Sequence, residues 1–255
     1  MSSEYAEALI SLRKEALSCS NENRFVIDLE DGSKRLTLAR DDDDNFPECV
    51  QKNVLKISKQ FDKIDQFINI TADEQRIDFH QLATRTHLHT YLSQPGRENS
   101  LIHDNVNLLS VPFHTDKGLY LLLTPSEMYP LKIVSKEGDV IDMEKTDTSV
   151  ICLMGTGLTE WLLPDLGLFS PPHAVPALEY PSARTVLARM KVAPLDARNI
   201  NSEATFGEHF YSVLHQSAKT TMEQRHLERV RRQVDHDISQ HWPGQVSQQN
   251  VTGDN

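Results

Sequence analysis

The feature that most constrains this chain is a series of short apolar segments between Val106 and Val192. "VNLLSV", "GLYLLLT", "LKIVS", "VIDM", "SVICLM" and "TVLARMKVA" follow one another with turn-forming residues between them. Each has strand length and no room for a helix. Lys136-Glu137-Gly138-Asp139 reads as a hairpin loop. Several short strands in a row must bury their apolar faces against one another, which predicts a barrel or a double-sheet jelly roll.

Helices flank this series. Tyr5, Leu9, Leu12 and Ala16 recur at helical spacing over residues 4–18. Val54, Ile57, Phe61, Ile64 and Ile68 do the same over 47–70. Between them "RFVIDL" and "KRLTLA" read as two strands joined at Glu30-Asp31-Gly32-Ser33. The acidic run Asp41 to Asp44 reads as a solvated loop. "DFHQLATRTHLHTYL" reads as a weaker helical segment that ends before Pro95-Gly96. Residues 202–241 read as a charged helix with Phe206, Phe210, Val213 and Leu214 on its apolar face, and "PGQVSQQNVTGDN" as a disordered tail. The expected fold is mainly β with flanking helices around a jelly-roll (double-stranded β-helix) core. The expected divisions are a mostly helical region over 1–100, the jelly roll over 101–198, and a C-terminal helix and tail over 199–255.

Composition narrows the partners. The net charge of −11 argues against a nucleic acid held by phosphate neutralisation and against an anionic membrane surface. No apolar run approaches the ~20 residues of a membrane span. The opening "MSSEYAEALISLRKE" lacks the apolar stretch of a signal peptide. Cys19, Cys49 and Cys152 are widely spaced and form no CxxC pair. They are expected as reduced thiols of a cytoplasmic protein, with Cys152 buried in its strand.

One stretch carries chemistry. In "PFHTDKGLYLLL", His114 and Asp116 stand at i and i+2 on an extended segment, so their side chains point the same way. An imidazole with a carboxylate suits a divalent first-row metal, and a second His would complete a 2-His-1-carboxylate triad. There are eleven histidines. His80, His87, His89 and His103 lie in helix-like or loop-like segments and read as surface or packing residues. His209, His215, His226, His236 and His241 belong to the C-terminal helical part. His173, in "PPHAV", lies 57 residues after Asp116, beyond hairpins that can return the chain to the same mouth. On the residues alone, His173 suits a loop cap after two prolines as well as a third ligand.

The stretch from His114 to about Pro194 resembles the isopenicillin-N-synthase-like branch of the Fe(II)/2-oxoglutarate-dependent dioxygenases. The likeness lies in an ordered series: "HTDKGLYLLLT", "LKIVSKEGDVIDME", "TSVICLMGTGLTEW", "PPHAV", and Arg184 eleven residues after His173. It implies His114, Asp116 and His173 as iron ligands and Arg184 as the anchor for the C5 carboxylate of 2-oxoglutarate. A guanidinium fork suits that carboxylate as no Lys does. It further implies an oxygenase that takes molecular oxygen and a small-molecule substrate. The sequence departs from the family at Arg184-Thr185-Val186, where Arg-x-Ser is usual. Asn99 and Asn107 are the candidates for the family's Asn-x-Tyr, and Arg189 is the alternative anchor. Two other readings stand beside this one: an iron oxidase of the same fold that does not use 2-oxoglutarate, and a non-catalytic binding module. Trp161 reads as a core aromatic, and Lys117 as a solvent-facing residue or a contact for a substrate anion.

Overall fold

The computed structural model describes residues 3–19, 25–29, 31–40, 43–73, 82–93, 109–126, 131–143, 149–178, 181–199 and 204–217. The chain divides into two compact units, Met1–Phe206 and Gly207–Asn255. The second unit is described only through helix α3 (Phe206–Ser217), whose first residue belongs to the first unit. The expected tail lies outside the described residues.

The first unit opens with helix α1 (Ser3–Ser18), hairpin strands β1 (Phe25–Asp28) and β2 (Lys34–Arg40), and helix α2 (Glu48–Asp73). Strands β3 (Ala83–Leu92), β4 (Leu109–His114), β5 (Tyr120–Leu123), β6 (Lys132–Val134), β7 (Val140–Asp142), β8 (Ile151–Met154), β9 (His173–Pro176) and β10 (Ala183–Val192) follow. The order in the large sheet is β1-β2-β3-β10-β5-β8, and in the small sheet β4-β9-β6-β7, with antiparallel pairing throughout. From β3 onward the chain passes repeatedly between the sheets, which is the jelly roll that the apolar series predicts.

Alternation along the strands sorts the two faces of the large sheet. Leu123, Ile151, Leu153, Val186 and Ala188 cluster with Val175 of β9, so they face the small sheet. Tyr120, Leu122, Leu187 and Arg189 point the other way, toward the helices. There Leu9, Leu12, Val54, Ile57 and Phe61 are buried, at the spacing read from the sequence.

A polar network ties α2 to this outer face. Arg189 is 4% exposed. Its Nη1 donates to Asp62 Oδ1 at 2.6 Å and Asp65 Oδ2 at 3.4 Å, and its Nη2 donates to Asp43. Tyr120 Oη donates to the other oxygen of Asp65 at 2.8 Å. Burial opposes the Arg189 charge, but Asp43, Asp62 and Asp65 outweigh it and raise the pKa. Removing one partner of such a network leaves buried charge uncompensated. Arg189→Leu is therefore expected to lower unfolding stability by about 3–5 kcal/mol, measured by urea denaturation. A loss under about 1 kcal/mol would show that water replaces the guanidinium.

Four expectations change. "ATRTHLHTYL" is strand β3, not helix. Its decisive pattern has period two, with Thr86, Leu88 and Thr90 toward the helices and His87, His89 and Tyr91 toward the cleft. Its threonines also favour strand. The acidic run is not wholly solvated, because Asp43 turns inward to Arg189. Cys19 and Cys49 form a disulfide with Cα atoms 6.1 Å apart, since packing of α1 on α2 brings together residues that sequence spacing separates. Cys152 is exposed on the outer face of β8, because β8 is the sheet edge.

Candidate metal centre

The site forms where β4 meets β9. These strands are antiparallel, and His114 is the register partner of His173. The two rings lie 4.4 Å apart at 52°. His114 Nδ1 lies 2.9 Å from the Pro112 carbonyl, and His173 Nδ1 lies 3.2 Å from the Pro171 carbonyl. A carbonyl only accepts, so each Nδ1 carries the proton and each Nε2 keeps its lone pair. This is the tautomer that ligates through Nε2.

Asp116 supplies the third group. Its Oδ2 lies 3.6 Å from His173 Nε2, and one ligand atom from each of the three residues falls within 4.8 Å of the others. That oxygen is buried and accepts no hydrogen bond. A buried carboxylate oxygen without a donor is costly, and a cation shared with two imidazoles removes the cost. The donor set of two nitrogens and one carboxylate fits Fe(II). His173 is buried and His114 is exposed, so the triad opens on the His114 side. Although the residue keeps an exposed edge, desolvation of the ring and then the neighbouring His173 lower the pKa of His114, which favours the ligating neutral form.

Glycines hold Asp116 in place. Its carbonyl accepts from Thr156 N at 2.8 Å, and Gly118 O accepts from Gly157 N at 3.1 Å. A Cβ on Gly155 would lie 2.1 Å from Gly118 O. Only a chain without side chains at these positions can approach the ligand loop so closely.

Arg184 lies on the cleft face of β10, in line with Val186 and Ala188. His173 shares the face of Val175, which packs in the same cluster, so Arg184 and His173 look into one interior. Arg184 is 5% exposed and its guanidinium carbon lies 5.6 Å from the Tyr91 ring centroid. Its Nε and Nη1 have no hydrogen-bond partner. Burial lowers its pKa, but a guanidinium stays charged at neutral pH. A buried cation with unused planar donors is suited to a carboxylate that enters the cleft.

No protein-family model matches the sequence, and no curated protein matches it. Solved structures do match. AtDAO1, the dioxygenase for auxin oxidation 1 of Arabidopsis thaliana, in its 2-oxoglutarate complex, aligns with a TM-score of 0.59 at 13% identity over 76% of this chain and 81% of that one. JOX2, in complex with 2-oxoglutarate, Fe and JA, aligns with a TM-score of 0.57 at 14% identity over 79% of this chain and 72% of that one. A full-length Neurospora crassa protein, in complex with α-ketoglutarate and 5-formyluracil, aligns with a TM-score of 0.55 at 15% identity over 80% of this chain and 77% of that one. The chain has the fold of the 2-oxoglutarate-Fe(II) oxygenases.

Within that fold the remaining residues can be placed. Arg189 faces the helices, which removes it as an anchor for a ligand in the cleft. Thr185 also faces outward, 3.5 Å from Thr90 Oγ1, as alternation requires. Val186 is apolar cleft lining. Asn99 and Asn107 lie outside the described residues. Tyr91, the register partner of Arg184 and two residues after His89, is a cleft residue that the sequence reading misses. The alternating "HLHTY" is its signal, hidden when the segment is taken as helix. Trp161 is a core aromatic, 4% exposed, donating to the Ala204 carbonyl at 3.0 Å. Lys117 is half-buried, with its Nζ 3.5 Å from Thr115 Oγ1. Among the described residues no helix is long and apolar enough to cross a membrane.

His87 and His89 share the cleft face, with rings 5.3 Å apart. Burial, then Arg85 and Arg35, lower the His87 pKa from 6.5 to about 3. His89 shifts in the same direction. A histidine with a folded pKa below its unfolded value binds fewer protons when folded, so its contribution is complete above the unfolded value. Stability is expected to fall as pH drops below about 6.5, by up to about 1.4 kcal/mol per pH unit for His87 alone. Melting followed from about pH 7.5 to 5 checks this, with His87→Gln flattening part of the slope. An unchanged slope in the variant would remove His87 as a source.

Proposed function

We propose that this chain is an Fe(II)- and 2-oxoglutarate-dependent oxygenase of small organic molecules. The observation that carries the reading is the buried Asp116 Oδ2, unsatisfied and facing His173 Nε2, in the same interior as the unused donors of Arg184. The keto acid held by AtDAO1, by JOX2 and by the Neurospora crassa protein supports it. Iron with 2-oxoglutarate supplies oxygen activation, in which the keto acid loses carbon dioxide to give succinate while the substrate is oxidised.

The chain's own share follows from its residues. His114, Asp116 and His173 would hold the metal, at a triad that opens on the His114 side. The Pro112 and Pro171 carbonyls fix the ring orientations. Arg184 orients the keto acid through its far carboxylate. Val186, Leu123 and Val175 give the cleft a dry floor.

Val186 also favours a second reading, an iron oxidase that does not take 2-oxoglutarate, because it puts no hydroxyl beside Arg184. Succinate measured against substrate loss separates the two. Equal amounts support the first reading; substrate loss without succinate supports the second. A cytoplasmic setting keeps iron ferrous and goes with both. The Cys19–Cys49 disulfide points to an oxidising one, and thiol titration of the protein as isolated from cells decides between them.

A further inference from the structure

The large sheet carries a second cation that the proposed reaction does not use. The register aligns Arg35 of β2, Tyr91 of β3 and Arg184 of β10 in one row across the cleft face. Residues directly opposite in an antiparallel pair point to the same side, so both guanidinium stems rise from the same floor, flanking Tyr91. With strands spaced about 4.8 Å apart, the two arginines stand about 10 Å from each other along the row. At that spacing each fork has room for an anion of its own.

Arg35 has no ion pair among the described residues, and its Nε is buried without a hydrogen-bond partner. The carboxylate on the preceding turn, Asp31, is engaged elsewhere: it accepts from Ser33 Oγ at 2.6 Å and Ser110 Oγ at 2.7 Å. Ser110 of β4, the strand that ends at His114, bonds Asp31 at 2.7 Å and lies 3.4 Å from Ser33 Oγ, which sets the start of β2, where Arg35 stands, beside the metal strand. Along β3 the helix-facing Thr86, Leu88 and Thr90 are buried, while the cleft-facing His87 and His89 are only partly covered. His89 is occupied through Nδ1, 2.9 Å from Thr37 Oγ1, and both histidines are held neutral. Arg85 lies six residues from Tyr91 along β3, about 20 Å away. The free charge at this end of the row is therefore a single planar fork, matched to a single carboxylate rather than to a phosphate dianion.

We propose that Arg35 anchors a carboxylate group of the substrate, so that the cleft beside the iron is built for small carboxylic acids. This rests on the oxygenase reading for the word substrate, while the anion preference stands on Arg35 alone. The fork would hold the acid from the β2 side while Arg184 holds the keto acid, leaving the substrate's carbon skeleton over the open His114 side of the triad.

The test uses the full chain, loaded with Fe(II) and saturated with 2-oxoglutarate without oxygen. Phenylacetate and hexanoate are titrated calorimetrically against phenylacetamide and hexanamide. At least one acid is expected to bind about tenfold or more tightly than its own amide, the strength of one charge-assisted pair. Arg35→Gln should erase that preference and leave 2-oxoglutarate affinity within about twofold, and Arg35→Lys should restore part of it. The proposal is overturned if neither acid is preferred, if Arg35→Gln keeps the preference, or if inorganic phosphate displaces the acids at equal concentration. Loss of 2-oxoglutarate in Arg35→Gln also overturns it, because Arg35 would then be the keto-acid anchor. Absence of 2-oxoglutarate binding in the unsubstituted protein would sink the oxygenase reading instead. The acid-against-amide comparison on iron-loaded protein would still judge Arg35.

Discussion

Asp116→Ala is expected to abolish stoichiometric Fe(II) binding and to bring turnover to background. The expected fall in iron affinity exceeds the about 10–100-fold that follows loss of a group supporting a ligand, because the proposed site makes Asp116 a ligand itself. The substitution also removes a buried carboxylate oxygen that has no partner in the metal-free protein. The metal-free variant should accordingly unfold at an equal or higher temperature than the metal-free parent. This pairing of lost iron with kept stability separates a ligand from a structural residue. His114→Ala should lose iron in the same way, with little harm to the fold because His114 is exposed. Metal analysis after anaerobic loading, with a melting curve on each variant, reads both effects. Full iron in Asp116→Ala would remove the triad as the metal site.

Arg184→Leu is the second large effect. Loss of the guanidinium fork should weaken 2-oxoglutarate by about 100-fold, since a charge-assisted bidentate contact disappears from a buried position. Iron affinity should stay near that of the parent, because Arg184 is not one of the three clustered donors. Without cosubstrate the variant should be as stable as the parent or more so, as a desolvated cation with unused donors is replaced by an apolar side chain. Arg184→Lys should not recover the affinity, because an ammonium lacks the planar fork. Equal 2-oxoglutarate binding in Arg184→Leu would move the anchor elsewhere on the cleft.

The apolar runs make the jelly roll legible, because a strand buried on one face writes its alternation into the residues. "GLYLLLT", "SVICLM" and "TVLARMKVA" correspond to β5, β8 and β10. The same-side placement of His114 and Asp116 is legible for the same reason, since their i and i+2 spacing has a fixed geometric meaning on extended chain. The joining of His114 to His173 is not, because their cross-strand pairing spans 59 residues and depends on how the hairpins fold back. Strand β3 reads as helix because its cleft face carries His87, His89 and Tyr91 rather than aliphatic residues, so polar alternates with polar. The same misreading hides Tyr91 and the row it shares with Arg35 and Arg184. The roles of Asp43 and Arg189 are invisible for a different reason. Charge pairing between a loop and the last strand of a jelly roll leaves no mark in local sequence.

The most direct measurement is an anaerobic titration of the protein with Fe(II) and then 2-oxoglutarate, followed by visible absorption. A keto acid chelated to ferrous iron gives a metal-to-ligand charge-transfer band. The account predicts a band that saturates at one iron and one 2-oxoglutarate per chain, and that is lost in Asp116→Ala. Iron bound without such a band, or a band that survives Asp116→Ala, would contradict it.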